Sequence, residues 1–328
     1  MDPSASISSS SGCSTSIHTK TCSSSRSRSA SPSSSSPSIR SPSRNACARI
    51  MAASVPQPPA IASRIVPLPE PLHRFWVSLD ELVADVLPTP WGAVVTDARF
   101  PDVWDTNYAR LDVATEVSVA TIEADLLPAL LRAGGRVEHV VSFHHEAHGE
   151  LLAELSARGH RISWDLAMVL DGTPGRPGAS EEDVAVEELP SDDELWTAAA
   201  GSMRDSFGIE PAAAVEQLLT LERTVLGPAG KRWFAVRDAG GRIVSLGTLL
   251  VLAGTGYVDN VATDPAARER GYAGAIVTKI ARENRDAGAA GPFLLTDPGS
   301  PAVVRFYERR GFSSVGFLVS TKGPMPDV

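Results

Sequence analysis

The chain has 328 residues with a formal charge of −9, and it is 43% hydrophobic and 21% charged, which suits roughly two globular domains. Residues 1–50 hold 21 serines and six Lys/Arg against one acid, a charge of +5 that leaves −14 for the rest. An acidic body excludes general duplex-DNA binding, which needs clustered cations, and no apolar run reaches the ~20 residues of a membrane span.

The head, residues 1–64, reads as a disordered Ser/Arg/Pro-rich extension, because it has too little apolar surface to offset the entropy of ordering. Three readings of it stay open: organellar targeting, a phosphorylated or RNA-contacting tail, and an extension without function ahead of a start at Met51. All three cysteines (Cys13, Cys22 and Cys47) lie there, so the body has neither a disulfide core nor a zinc cage. The body is expected to be soluble and cytoplasmic, without nucleic-acid or membrane partners, in an oligomeric state that the sequence does not reveal.

Residues 65–171 form the first expected domain. It reads as a helix over 72–86, strands over 93–96 and 108–113, a helix over 120–132, a strand over 137–143, a helix over 147–157 and a strand over 161–170. A Gly/Pro-rich linker follows over 172–182. The second domain, 183–328, begins with a strand over 183–189 and helices over 192–207 and 211–226. Strands over 232–237 and 243–253 follow, joined by the hairpin signal Asp238-Ala-Gly-Gly241, and then a strand over 257–263. A helix over 271–287, a strand over 293–296, a helix over 300–310 and a strand over 312–321 complete it. A shift of 152 residues lays the later part of the first domain on the second, with Arg158-Gly159 falling on Arg310-Gly311. Identities are few, so the order of elements carries this repeat.

The segment with most chemistry is Val258-Asp-Asn-Val-Ala-Thr-Asp-Pro-Ala-Ala-Arg-Glu-Arg-Gly-Tyr-Ala-Gly-Ala275. A strand runs through a short Arg/Gly loop into a helix that starts near Gly271. Small residues at 271 and 273–275 let backbone N–H groups approach a ligand, and the open helix start makes an anion seat. Arg268 and Arg270 add charge-assisted contacts. In an acidic chain this points to a phosphate or pyrophosphate, yet neither a P-loop nor a Gly-x-Gly-x-x-Gly fingerprint is present.

Arg268-x-x-Gly271-x-Ala273 resembles the R/Q-x-x-G-x-G/A signature of the GNAT superfamily of acyl-CoA-dependent N-acyltransferases. Phe306-Tyr-Glu-Arg-Arg-Gly-Phe312 resembles the family's second signature, a helix ending in F/L-Y-E-x-x-G-F. The resemblance covers about 183–322. It implies an α/β (α+β) fold with two GNAT-like domains, each a mixed, mostly antiparallel sheet flanked by helices on both faces. The first copy is then degenerate and the second catalytic.

The resemblance further implies acetyl-CoA as co-substrate and no metal, with direct attack by a primary amine of a small molecule or peptide. Backbone groups of Val261, Ala262 and Thr263 would hold the pantetheine arm. Arg268 and the amides of Gly271, Tyr272, Ala273, Gly274 and Ala275 would hold the pyrophosphate, with Arg270 beside them. Tyr307 stands where the family places the acid that protonates the leaving thiolate, and a tyrosine's ordinary pKa near 10 suits that step. The family often has Asn seven residues earlier; here Ser300 takes that place. For the base that deprotonates the amine the candidate is Asp259, on the face shared with Tyr257, Val261 and Thr263 if strict alternation holds. The same shift puts Glu116 where Arg268 stands and Leu155 where Tyr307 stands, so the first copy is not expected to bind CoA. The acidic body favours a cationic acceptor, expected along 192–226. A non-catalytic acyl-CoA sensor or adaptor is the alternative.

One further pattern, His144-His-Glu-Ala-His148, has two histidines four apart but lacks the H-E-x-x-H order. It is read as a polar helix start and not as a metal site.

Overall fold

The structure, a computed structural model, describes residues 68–172 and 183–325. The expected disordered head over 1–64 and the linker beyond Gly172 lie outside the described residues. The first half consists of α1 (Glu70–Val83), β1 (Asp85–Thr89), β2 (Gly92–Thr96), β3 (Tyr108–Leu111), α2 (Val119–Ala133), β4 (Val137–Ser142), α3 (Gly149–Ala157) and β5 (Arg161–Leu170). The second half opens with β6 (Glu187–Leu189), α4 (Asp193–Asp205), α5 (Ala212–Leu221), β7 (Arg232–Arg237), β8 (Ile243–Leu252) and β9 (Thr255–Thr263). It closes with α6 (Tyr272–Asp286), β10 (Ala290–Thr296), α7 (Pro301–Glu308) and β11 (Phe312–Pro324).

Local chemistry explains most of these boundaries. In α1 the buried Leu72, Phe75, Trp76, Leu79 and Val83 recur at helical spacing and make one apolar stripe. The helix stops at Val83, short of the expected 86, because the chain turns extended at Ala84 and enters β1. β1 pairs only with β2, and Pro88 is tolerated on such an edge strand. Asp192 caps α4, its carboxylate accepting from the Leu195 amide at 3.0 Å.

All eleven strands join one sheet, in the order β1-β2-β3-β4-β11-β5-β10-β9-β8-β7-β6. The two sheets expected for two domains are thus fused, and each half contributes its last strand to the other. β5 lies between β10 and β11, while β11 lies between β5 and β4. Helices α1, α4 and α5 cover one face of this sheet, and α2, α3, α6 and α7 cover the other. The exchange extends to α1, whose Phe75 ring sits 5.5 Å from Tyr257 and 5.0 Å from Phe293 of the second half.

The segments β3-α2-β4-α3-β5 and β9-α6-β10-α7-β11 follow one order of elements. On the second, α6 presses close to the sheet because β8 carries Gly247 beneath it. A Cβ at that position would stand 2.6 Å from Ile276, so any side chain there pushes the helix away.

Candidate active site

β9 and β10 run parallel but pair only near their starts, at Thr255 with Ala290 and Tyr257 with Phe293. From there β9 stays with β8 as far as Thr263, and β10 stays with β5 as far as Thr296. The two strands part, and past Tyr257 their facing backbone groups are not used by each other. Buried backbone donors and acceptors need partners, so the gap is fitted to an extended polar ligand.

The strand bordering this gap is irregular. Thr248 pairs with Asp259 and Leu246 with Ala262, so β9 holds one residue more than β8 over the same stretch. Asn260 absorbs the bulge with a left-handed φ of 53°. The bulge overturns the expectation from strict alternation. Tyr257, Asp259 and Ala262 face the side covered by α1, α4 and α5, while Val261 turns toward α6. Thr263 turns the same way as Val261, its hydroxyl 2.8 Å from that of Ser245.

Beyond Thr263 a short turn capped by Asp264 leads into Arg268. Glu269 and Gly271 both adopt left-handed φ, 65° and 82°. Strained backbone of this kind at a non-glycine residue collects at ligand sites. Gly271 is the N-cap of α6 and supplies no capping side chain. The amides of Tyr272, Ala273 and Gly274 therefore have no acceptor inside the helix, and the helix dipole adds positive potential there. Arg268 and Arg270 are exposed and bond only to backbone oxygens, Thr263 and Ala266, each at 3.3 Å. Both guanidiniums stay available to an anion at the helix start. These features fit the pyrophosphate and pantetheine of an acyl-CoA.

Across the gap, α7 carries Tyr307, which is 2% exposed and packs edge-on against Phe306 and Phe312. Ser300 is the N-cap of α7. Its hydroxyl donates to Asp297 at 3.2 Å, so it orders the loop between β10 and α7.

Asp259 is 2% exposed and belongs to a buried charge cluster. Lys231 donates to Glu222 at 2.6 Å and to Asp259 Oδ2 at 3.3 Å. Asn260 donates to the same Oδ2 at 3.0 Å. Burial alone would lower the Lys231 pKa, but Glu222 and Asp259 outweigh it and hold it above its ordinary value. The cluster is two carboxylates and one ammonium, net negative. Asp259 Oδ1, Tyr257 Oη and Thr248 Oγ1 are all buried on this face without a protein partner, an arrangement that costs stability unless a ligand or water completes it. Burial, then Asp259 and Asp165, push the Tyr257 phenol well above its ordinary pKa, and Tyr307 adds to the shift.

Lys231, Glu222, Tyr257 and Thr248 were not singled out from the sequence as site residues. The one available cue was scarcity, because Lys231 is one of only four lysines in the chain. The histidine pattern forms a structural corner. His148 bonds Ser142 Oγ at 2.7 Å and the Thr115 carbonyl at 3.0 Å, and His145 packs on Trp164.

Residues 193–312 match the acetyltransferase (GNAT) family model. No curated protein sequence matches the chain. Among solved structures, a conserved protein of unknown function from Staphylococcus epidermidis aligns with a TM-score of 0.58 at 11% identity, over 74% of this chain and 95% of its own. A GCN5-related N-acetyltransferase from Kribbella flavida aligns with a TM-score of 0.50 at 16% identity, over 77% of this chain and 95% of its own. Coverage of that extent takes in both halves of this chain. The family match lies over the parted strands, α6 and α7, so residues 193–312 form a GNAT acetyltransferase domain.

Proposed function

We propose that the second half is an N-acetyltransferase that moves an acetyl group from acetyl-CoA to a primary amine of a small molecule or peptide. The observation that carries this reading is the parting of β9 and β10 beside an α6 start that no side chain caps. Arg268, Arg270 and the amides of residues 271–275 would hold the pyrophosphate. Backbone groups of Val261, Ala262 and Thr263 would pair with the pantetheine arm. Acetyl-CoA, when bound, supplies an acetyl group activated as a thioester.

Asp259 Oδ1 takes a proton from the incoming ammonium, leaving a neutral amine able to attack. Lys231 and Asn260 hold the other carboxylate oxygen and so fix the direction of Oδ1. The net negative cluster also draws an ammonium toward Asp259 before transfer. Tyr307 gives its proton to the departing thiolate. Ser300 keeps the β10–α7 loop in place. We read the first half as a copy that binds no CoA and walls the acceptor cleft, in a protein of the cytoplasm.

The test is a thiol-release assay over an amine and peptide panel, paired with calorimetric titration of acetyl-CoA. Acceptor-dependent release of CoA is expected. Tight acetyl-CoA binding without release for any acceptor would replace the enzyme with an acyl-CoA sensor.

A further inference from the structure

A cleft of about 490 Å³ lies at the seam of the two halves. Its volume suits a small ligand. Its walls are the loop before β3 with Trp104, the starts of β4 and β5 with Arg136, Arg161 and Ser163, the end of β11 with Lys322, and Glu210 between α4 and α5. It therefore exists only because β11 crosses into the first half while α5 docks against it. A reciprocal pair holds that docking, with Asp102 N–H donating to Gln217 at 2.9 Å and Gln217 donating back to Asp102 at 2.7 Å.

Register connects this cleft with the active site. Lys322 pairs with Arg161, Ser320 with Ser163 and Leu318 with Asp165, so Arg161, Ser163 and Asp165 share one face. Leu166 pairs with Thr296, which puts Asp165 beside the end of β10, where the gap opens. The face runs from Arg161 to Asp165 over about 13 Å at ~3.3 Å per residue. Asp105 and Asp165 act on both Lys322 and the Tyr257 hydroxyl, which ties the cleft to the unpartnered atoms near Asp259.

Charge is ordered along that path. At the inner end stand Asp165, Asp105 and Asp297. At the outer end stand Arg161, Arg136 and Lys322, whose ammonium lies 4.1 Å from the Trp104 ring. Asp102 lies 3.8 Å from Arg136 and offsets it in part, and Glu210 marks the far rim. Arg161 has no carboxylate partner among the described residues. An ammonium is drawn inward and an anion is held outward, a pattern that a simple cation does not satisfy.

Resting on the acetyl-transfer reading above, we propose that this seam cleft is the acceptor subsite and that it selects an amine carrying a carboxylate about 10 Å away, read by Arg161 with Arg136 and Lys322. A tripeptide with a free C-terminus has that span. In the transfer the ammonium loses one proton to Asp259, its nitrogen bonds the acetyl carbon as the C–S bond breaks, Tyr307 protonates the leaving sulfur, and the second proton of the acylated nitrogen passes to the Tyr307 phenolate, which leaves a neutral amide and CoA-SH. The distal carboxylate takes no part beyond anchoring.

Triglycine and triglycinamide, identical but for the C-terminal charge, test this on the full chain. Calorimetry without acetyl-CoA should give at least tenfold tighter binding of triglycine, and kcat/KM for CoA release should show the same preference. Arg161→Ala, on the exposed rim, should bring both ratios near one, and Arg161→Lys should keep part of the preference. Equal handling of the two peptides, or a preference that survives Arg161→Ala, overturns the inference. If acetyl-CoA binds and supports release with simple amines but neither peptide binds, the subsite is wrong and the transferase reading stands. If acetyl-CoA itself does not bind, the reading beneath falls and takes the subsite with it.

Discussion

The two halves share the order strand, helix, strand, helix, strand, and they differ in what each leaves unpaired. In the second half β9 and β10 separate after Tyr257 and Phe293. In the first half β3 and β4 stay paired to their ends, from Ala109 with Val140 to Leu111 with Ser142, and Phe143 N–H adds a bond to Leu111 O at 3.2 Å. The start of α6 is capped by a bare glycine, whereas Ser118 Oγ caps α2 by accepting from the Thr121 amide at 3.2 Å. Where Arg268 reaches solvent, the matching Glu116 accepts from the Leu151 amide at 3.0 Å and so serves the start of α3. One scaffold thus yields two outcomes. In the first copy the strands stay paired and a side chain caps the helix start; in the second the strands part and the helix start is bare.

The contrast is open to attack from its catalytic end. Tyr307→Phe should lower kcat by about 10²–10⁴ and leave the acetyl-CoA dissociation constant unchanged in titration calorimetry. An undiminished kcat would remove the tyrosine from the chemistry. Next in size is the second half's buried cluster of Lys231, Glu222 and Asp259, to which Asp80, Arg110 and Asp112 are the first half's counterpart. Lys231→Met leaves Glu222 and Asp259 facing each other without their cation, and the variant should lose about 3–5 kcal/mol in urea unfolding. A loss below about 1 kcal/mol would mean that water already reaches the cluster. Smaller again is the exchange of the one residue whose sign is reversed. Arg268→Glu should weaken acetyl-CoA by about 10–100-fold, the worth of one charge-assisted contact replaced by repulsion. Glu116→Arg should leave the stoichiometry at one acetyl-CoA per chain. A second binding event would show that the sign of this charge alone separates the copies.

Most element positions were legible in the sequence because they rest on local pattern. β7 and β5 fall where alternation predicted them, and α6 falls within a residue at each end. The Arg/Gly turn into α6 was legible too, since Arg268, Gly271 and Ala273 are neighbours in sequence. β1 was missed because Pro88 makes it a poor strand by propensity, and only its pairing with β2 holds it. The bulge at Asn260 was missed because no residue type demands it; it shows only in the pairing of β9 with β8. The exchange of β5 and β11 left no trace in local pattern, since a strand reads alike in either neighbourhood. For the same reason the seam cleft, and Lys231 meeting Glu222 and Asp259, could not be read in advance.

The seam also marks where the comparison gives its smallest signal, as a dependence of stability on pH. Burial, the largest influence, lifts Asp165 from 3.8 to about 7, with Lys322 opposing and Asp105 and Asp297 adding to it. The folded chain then keeps a proton that the unfolded chain releases near pH 4. Stability is full below that point and falls as pH rises toward 7, because the folded state binds the more protons over that span. Lys322, lowered by burial from 10.5 to about 8, works in the opposite sense at higher pH. There the unfolded chain binds the more protons, so stability rises between 8 and 10.5. Asp165→Asn removes the first slope while Asp80, raised by burial to about 6, keeps the part below that value. Because Asp165 retains partial contact with water, the variant should gain about 2 kcal/mol at pH 8 and nothing at pH 4, read as denaturation midpoints across that range. Asp165 belongs to the first half's strand yet lies inside the second half's sheet, so this slope reports the fusion itself. A slope unchanged in Asp165→Asn would mean that water fills the seam, and a water-filled seam would screen the charge order along the cleft.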